Sequence, residues 1–171
     1  MKKTYIIAEI GINHNGDMDL AKELILKSKS SGCDAVKFQK RDIESVYTQE
    51  ELDTSRESPF GTTTREQKEG IEFGIEEYKE LQSYTQELGL DFIVSCWDTK
   101  SLDLVEEHLD VKYHKVASAM ATDKEFLEKL NNTGKPIILS TGMCTDSEVA
   151  AAMEILLNVE YVLACTSTYP T

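Results

Sequence analysis

Two patterns of apolar residues alternate along this chain. Short, nearly continuous apolar runs are separated by longer stretches in which apolar residues recur every three or four positions. The runs read as strands at residues 5–11, 34–39 (DAVKFQ), 91–97 (DFIVSCW), 113–118 (YHKVAS), 136–142 (PIILSTG) and 161–167 (YVLACTS). The periodic stretches read as helices. One begins after Asp17, a side chain suited to N-capping, places Ala21, Leu24, Ile25 and Ser28 on one side, and stops at Gly32. The next carries Ile75, Tyr78, Leu81, Thr85 and Leu88 and stops at Gly89; a third carries Leu102, Val105 and Leu109. Thr122-Asp123-Lys124-Glu125 predicts a capping box ahead of Phe126, Leu127 and Leu130, with Gly134 ending the helix. Thr145-Asp146-Ser147-Glu148 predicts a second box ahead of Val149, Ala152, Met153 and Leu156.

Regular alternation of strand and helix requires a parallel sheet with helical crossovers. The last three units repeat about every 22–25 residues, which fits a (β/α) barrel of the TIM type better than a doubly wound sheet. A complete eight-fold barrel needs about 250 residues. The 171 residues here supply six strands and five helices, so the expectation is an incomplete α/β barrel with no internal domain boundary. Open sheet edges invite pairing with another chain, which predicts self-association or a rearranged fold. One segment breaks the rhythm: residues 40–70 are long and polar, with a turn signal at Ser58-Pro59-Phe60-Gly61. A loop of that length is expected to be functional or disordered.

Composition narrows the partners. The formal net charge of −13 argues against nucleic acid and anionic membranes, which select basic surfaces. No secretory leader pattern and no apolar run of membrane-spanning length is present, so the cytoplasm is the default location. Cys33, Cys96, Cys144 and Cys165 lack the spacing of a zinc or redox motif and read as reduced core thiols. Acidic runs such as Glu50-Glu51-Leu52-Asp53 read as solvated surface.

Strands buried on both faces should be almost wholly apolar. The polar exceptions are Glu9 in the first strand, Lys37 and Gln39 in the second, Lys115 and Ser118 in the fourth, Ser140 and Thr141 ending the fifth, and Thr166 and Ser167 ending the sixth. Barrel enzymes place their sites at the C-terminal ends of strands. Alternation puts Ala35, Lys37 and Gln39 on one face and Val36 and Phe38 on the other, so Lys37 points into the barrel. A buried lysine needs a carboxylate or an anionic ligand; an ion pair with Glu9 and an anion site are both open. Lys115 adds a second inward cation with few carboxylates to match, and favours an anion site with Ser118, Ser140 and Ser167 as hydroxyl donors. His14 reads either as a substrate contact or as a turn residue, His108 as a solvated helix residue, and His114 as facing the helices. The three show no metal-ligand spacing.

Six segments, in order, resemble the N-acetylneuraminate (sialic acid) synthase family: AEIGINHNGD at residues 8–17, VKFQ at 36–39, SPFG at 58–61, KVAS at 115–118, LSTGM at 139–143 and CTSTYP at 165–170. The resemblance implies a TIM barrel that condenses phosphoenolpyruvate with N-acetylmannosamine or a related amino sugar, releasing phosphate and a nine-carbon ulosonic acid. It implies that Lys37, Lys115, Ser118 and Ser140 hold phosphoenolpyruvate, with Ser167 standing where some members have asparagine. It implies that Glu9 is a catalytic carboxylate beside the reacting sugar, and that Gln39 and Tyr169 flank the sugar pocket. It further implies a divalent cofactor, manganese or magnesium, whose histidine ligands lie on strands beyond residue 171, and a homo-oligomer in which a C-terminal antifreeze-like domain covers the partner's site. On these grounds the chain is expected to be the N-terminal portion of such a barrel with no metal ligands of its own. A non-catalytic phosphoenolpyruvate-binding fragment and a different phosphoenolpyruvate–aldose condensing barrel are the alternatives; Asn13-His14-Asn15-Gly16 argues against the latter.

Overall fold

The computed structural model describes residues 4–168. Six parallel strands form one sheet: β1 (Ile7–Gly11), β2 (Ala35–Lys40), β5 (Asp91–Cys96), β6 (His114–Val116), β7 (Ile137–Ser140) and β8 (Val159–Leu163). Strands β3 (Ser55–Ser58) and β4 (Gly61–Thr63) form a separate antiparallel hairpin. The helices are α1 (Met18–Ser30), α2 (Ile43–Val46), α3 (Gln49–Leu52), α4 (Thr64–Ile71), α5 (Ile75–Glu87), α6 (Thr99–His108), α7 (Lys124–Asn131) and α8 (Asp146–Ile155).

The sheet order is β1-β2-β5-β6-β7-β8, each strand beside its predecessor in the sheet. A doubly wound sheet reverses its winding at a switch point. This one never does, so all five crossover helices, α1, α5, α6, α7 and α8, lie on one side and each packs on the next. The result is an arc of a (β/α) barrel. Its strand order is not rearranged, and the expected class holds.

Period-two alternation sorts the side chains into two layers. Outward residues Val36, Phe38, Phe92, Val94, Ile137 and Leu139 meet the helices in the main core. Fully burying a side chain of this size contributes about 1.5–3 kcal/mol relative to exposure. Inward residues Ala35, Ile93, Tyr113 and Ile138 form a smaller cluster with Ile7 and Leu163. That cluster is a floor across the lower half of the arc.

Local signals set the helix ends. Asp17 caps α1 by accepting from the Leu20 amide at 3.0 Å. The Thr145/Glu148 capping box is present at α8. The first predicted box is not: Asp123 caps α7, accepting from the Phe126 amide at 3.0 Å, one residue beyond Thr122. A carboxylate one position nearer the helix outcompetes the threonine hydroxyl for the open amide.

The polar segment 40–70 is ordered, contrary to the loop expectation. Two capping boxes, Thr48/Glu51 and Thr63/Glu66, start α3 and α4. Ser58-Pro59-Phe60-Gly61 makes the turn of the β3–β4 hairpin. Within the acidic run, Leu52 is fully buried and Glu51 is spent on a cap. The last strand ends at Leu163, four residues short of the expected end. Among the four free thiols, Cys96 lies in the core as expected, whereas Cys165 is exposed because it follows β8 rather than belonging to it. No helix among the described residues is long and apolar enough to cross a membrane.

Candidate active site

A cleft of about 680 Å³ opens at the C-terminal ends of the six strands, above the apolar floor. Its wall includes Glu9, Lys37, Gln39, Ser95, Lys115 and Ser140. Parallel register puts Glu9 beside Lys37, and Gln39 beside Ser95. Each is an inward position on its strand, which is why these polar groups converge although they are far apart in sequence.

Lys37 is buried and its Nζ sits 2.9 Å from Glu9 Oε2. Glu9 itself keeps more than half of its side chain exposed to the cleft. Burial lowers the Lys37 pKa, and Glu9 only partly offsets this. Lys115 is also buried; its ammonium donates to Ser140 Oγ and to the Val116 carbonyl, the latter at 3.3 Å. Burial, followed by the Lys37 charge, lowers its pKa to about 8. Neither hydrogen-bond partner of Lys115 is anionic. Two cations therefore share one half-exposed carboxylate, and the cleft is short of negative charge. Such a site gains by taking up an anion.

The hydroxyls complete it. Ser118 begins a short 3₁₀ turn (Ser118–Met120) just beyond β6, and its Oγ accepts from the Gly142 amide at 2.9 Å. That leaves the Ser118 O–H hydrogen available to a ligand. Gly142 is glycine for a steric reason: a Cβ there would meet Ser167 Oγ and lie 2.9 Å from Ser118 Oγ. Ser167 is not on a strand as expected, but it lines the cleft from the segment after β8, as does Thr166. Thr141 plays a different part, tying β7 to β8 through Leu163. Tyr169 lies outside the described residues.

Sequence reasoning missed Ser95 and Trp97, which also line the cleft. Both share the inward period of Ile93, so alternation along β5 contained the signal. Ser95 donates to the Lys115 carbonyl at 3.0 Å and pins β6 to β5 behind the lysine. His14 resolves to the turn alternative. It is buried, stacked on Phe73 at 4.1 Å, and its Nδ1 accepts from the Gly16 amide at 3.1 Å. Gly16 has φ +74, and a Cβ there would strike the Gly70 carbonyl, so the loop packs directly on α4. Burial lowers the His14 pKa to about 4. His114 faces the helices, 2.9 Å from Glu106 on α6. His108, read as solvated, is half-buried at the end of α6.

Among the described residues, no three or more His, Cys, Asp or Glu side chains converge as a metal site. Glu9 is the carboxylate in the cleft and is paired with Lys37. These side chains alone do not fit a divalent cation.

A sequentially wound barrel arc with a cationic, hydroxyl-lined cleft at its C-terminal strand ends has the layout of a barrel enzyme, which sets its site there. The profile of the NeuB family matches residues 24–171, and the chain belongs to that family. It is 40% identical over 172 residues to N-acetylneuraminate-9-phosphate synthase of Mus musculus, covering 97% of this chain and 47% of that protein. It is 36% identical over 177 residues to N,N'-diacetyllegionaminic acid synthase of Legionella pneumophila, covering 97% and 49%. The crystal structure of the N-acetylneuraminic acid synthetase of Leptospira borgpetersenii, in complex with citrate, superposes with a TM-score of 0.81 at 27% identity, covering 99% and 56%. The chain thus spans about half the length of the curated relatives it matches.

Proposed function

We propose that this chain supplies the phosphoenolpyruvate pocket of a synthase that condenses phosphoenolpyruvate with N-acetylmannosamine or a related N-acetylated amino sugar. One observation carries the reading: two buried lysines, Lys37 and Lys115, share a single half-exposed carboxylate in a hydroxyl-lined cleft. Phosphoenolpyruvate carries a carboxylate and a phosphate, and so offers one anionic group to each cation. The names of the relatives, synthases of two different nine-carbon sugar acids, support the same class.

In this reading C3 of phosphoenolpyruvate attacks the aldehyde carbon of the sugar, forming the new C–C bond. The aldehyde oxygen takes a proton. Positive charge develops at C2, water adds there with loss of a proton, and the tetrahedral intermediate expels phosphate by C–O cleavage. Lys37 and Lys115 hold the two anions and fix the face that C3 presents. Ser118, Ser140 and Ser167 donate to their oxygens. Glu9, at the mouth beside Lys37, exchanges the proton as general acid or base. A divalent cation would supply Lewis-acid chemistry, but no group of the described side chains would hold one. The assembly acts as a homo-oligomer.

Calorimetric titration with phosphoenolpyruvate tests the pocket. Saturable binding that Lys115→Met weakens at least about a hundredfold is the expected result, since a buried charge-assisted contact is lost. A cooperatively melting wild-type chain that binds no phosphoenolpyruvate overturns the reading.

A further inference from the structure

Arg41 follows β2 directly, and its side chain is nine-tenths buried. The guanidinium lies over the Trp97 ring, 4.2 Å from its centroid. One terminal nitrogen donates to Gln39 Oε1 at 2.7 Å, and the other faces Glu72 Oε1 at 3.6 Å. Glu72 also accepts from the Arg41 backbone amide at 3.2 Å and pairs with Lys40 at 3.4 Å. The guanidinium is thus held by a ring on one face and a carboxylate at one edge.

Arginine has donors and no acceptor. The Gln39 atom that faces it at hydrogen-bonding distance is therefore the oxygen, and turning the amide over would set two donors against each other. Gln39 Nε2 falls on the other side, toward Gly11, where a Cβ would come within 3.3 Å of it. Gly11 and Gln39 both line the cleft beside Glu9. Among the described residues, no protein acceptor takes the Nε2 hydrogens. Trp97 Nε1 and Arg41 Nε are two further buried donors without a partner. This corner is rich in donors.

We propose that Arg41 is a positioning residue that fixes the polarity of the Gln39 amide, so that the cleft presents a donor there and selects a carbonyl oxygen of the ligand. Glu9, on the adjacent strand β1, presents an acceptor. The pair reads a group that accepts on one side and donates on the other, the pattern of an N-acetylamino substituent. That ligand assignment rests on the proposed function; the amide polarity rests on Arg41 alone.

The decisive readout needs no ligand. In ¹⁵N relaxation of the chain, the Gln39 side-chain amide is expected to be ordered, and to lose that order in Arg41→Met while the β2 backbone stays unchanged. If Arg41→Met does not fold, Arg41→Lys keeps the charge opposite Glu72. It is also expected to loosen the amide, because a single Nζ cannot occupy the places of the two terminal guanidinium nitrogens that face Gln39 and Glu72. An amide equally ordered in the variant, or already mobile in the wild type, overturns the proposal. Where N-acetylmannosamine binds in the presence of phosphoenolpyruvate, Arg41→Met should weaken it about tenfold and leave phosphoenolpyruvate affinity unchanged. In a Gln39→Ala background the same substitution should have no further effect; additive losses mean that Arg41 acts elsewhere. A wild type that binds no phosphoenolpyruvate sinks the functional reading, while the amide measurement still decides this one.

Discussion

Replacing Lys115 by methionine should make the unliganded protein more stable while removing the affinity for phosphoenolpyruvate proposed above. The side chain is buried, its ammonium has no carboxylate partner, and its pKa is lowered to about 8 from the ordinary 10.5. A lysine whose folded-state pKa is depressed costs stability wherever the unfolded chain is charged. Protons bound by the unfolded state exceed those bound by the native state between the two values, so stability rises with pH across pH 8–10.5. Below pH 8 the full cost applies, about 3 kcal/mol at pH 7; by pH 9.5 it falls to about 1.4 kcal/mol. Methionine fills nearly the same volume and removes that cost, less about 1–2 kcal/mol for the lost bonds to Ser140 and the Val116 carbonyl. Lys115→Met should therefore be more stable than wild type by about 1–2 kcal/mol at pH 7 in urea denaturation. The advantage should shrink by about 2 kcal/mol at pH 9.5. A variant that is less stable at pH 7, with a difference that does not move with pH, would refute the claim that an unpaired buried charge is held here.

Three further outcomes follow from the same geometry. His14→Phe should keep the stack on Phe73 and abolish an acid-sensitive component: the depressed imidazole pKa means that wild type loses up to about 3 kcal/mol as pH falls from 6.5 to about 4, relative to the variant. Gly142→Ala should push Ser167 and Ser118 out of place and weaken phosphoenolpyruvate binding about tenfold by calorimetry; unchanged affinity would show that these hydroxyls do not meet the ligand. Tyr78→Phe removes the hydroxyl that donates to the Gln39 carbonyl at 2.5 Å and should cost about 1–2 kcal/mol in urea denaturation, with phosphoenolpyruvate affinity within about twofold of wild type.

The barrel was legible because its strands are buried on both faces. A lysine or serine inside DAVKFQ or YHKVAS stands out against an apolar run, and period two says which way it points. Lys37, Lys115 and Ser140 were found in this way. Gln39 stands out at a strand end and alternation gives its face, but the polarity of its amide is not readable, because it depends on Arg41, a residue outside the strand pattern. Segment 40–70 reads as a long polar loop because α2 and α3 are four residues long and have no periodic face to detect. The caps of α3 and α4 stand in the sequence as Thr48/Glu51 and Thr63/Glu66, but a capping box announces a helix only when an apolar stripe follows. Ser167 was assigned to β8 because CTS continues an apolar run, whereas strand pairing with β7 stops at Leu163. Pairing partners are a tertiary property that one segment does not carry.

The Glu72 clasp has a consequence for how this protein family can diversify. The carboxylate holds both Lys40 and the Arg41 amide, so the two ends of the 41–72 excursion are fastened to each other at the rim of the barrel. Closure of the excursion is done by the clasp rather than by the chain between. Lengthening a flexible loop to twice its size costs only about 0.6 kcal/mol of closure entropy. New residues can therefore be admitted in the exposed stretch 53–57 at little entropic cost while β2 and α5 keep their places, whereas α4 is held to the barrel by the close approach of Gly16 to the Gly70 carbonyl.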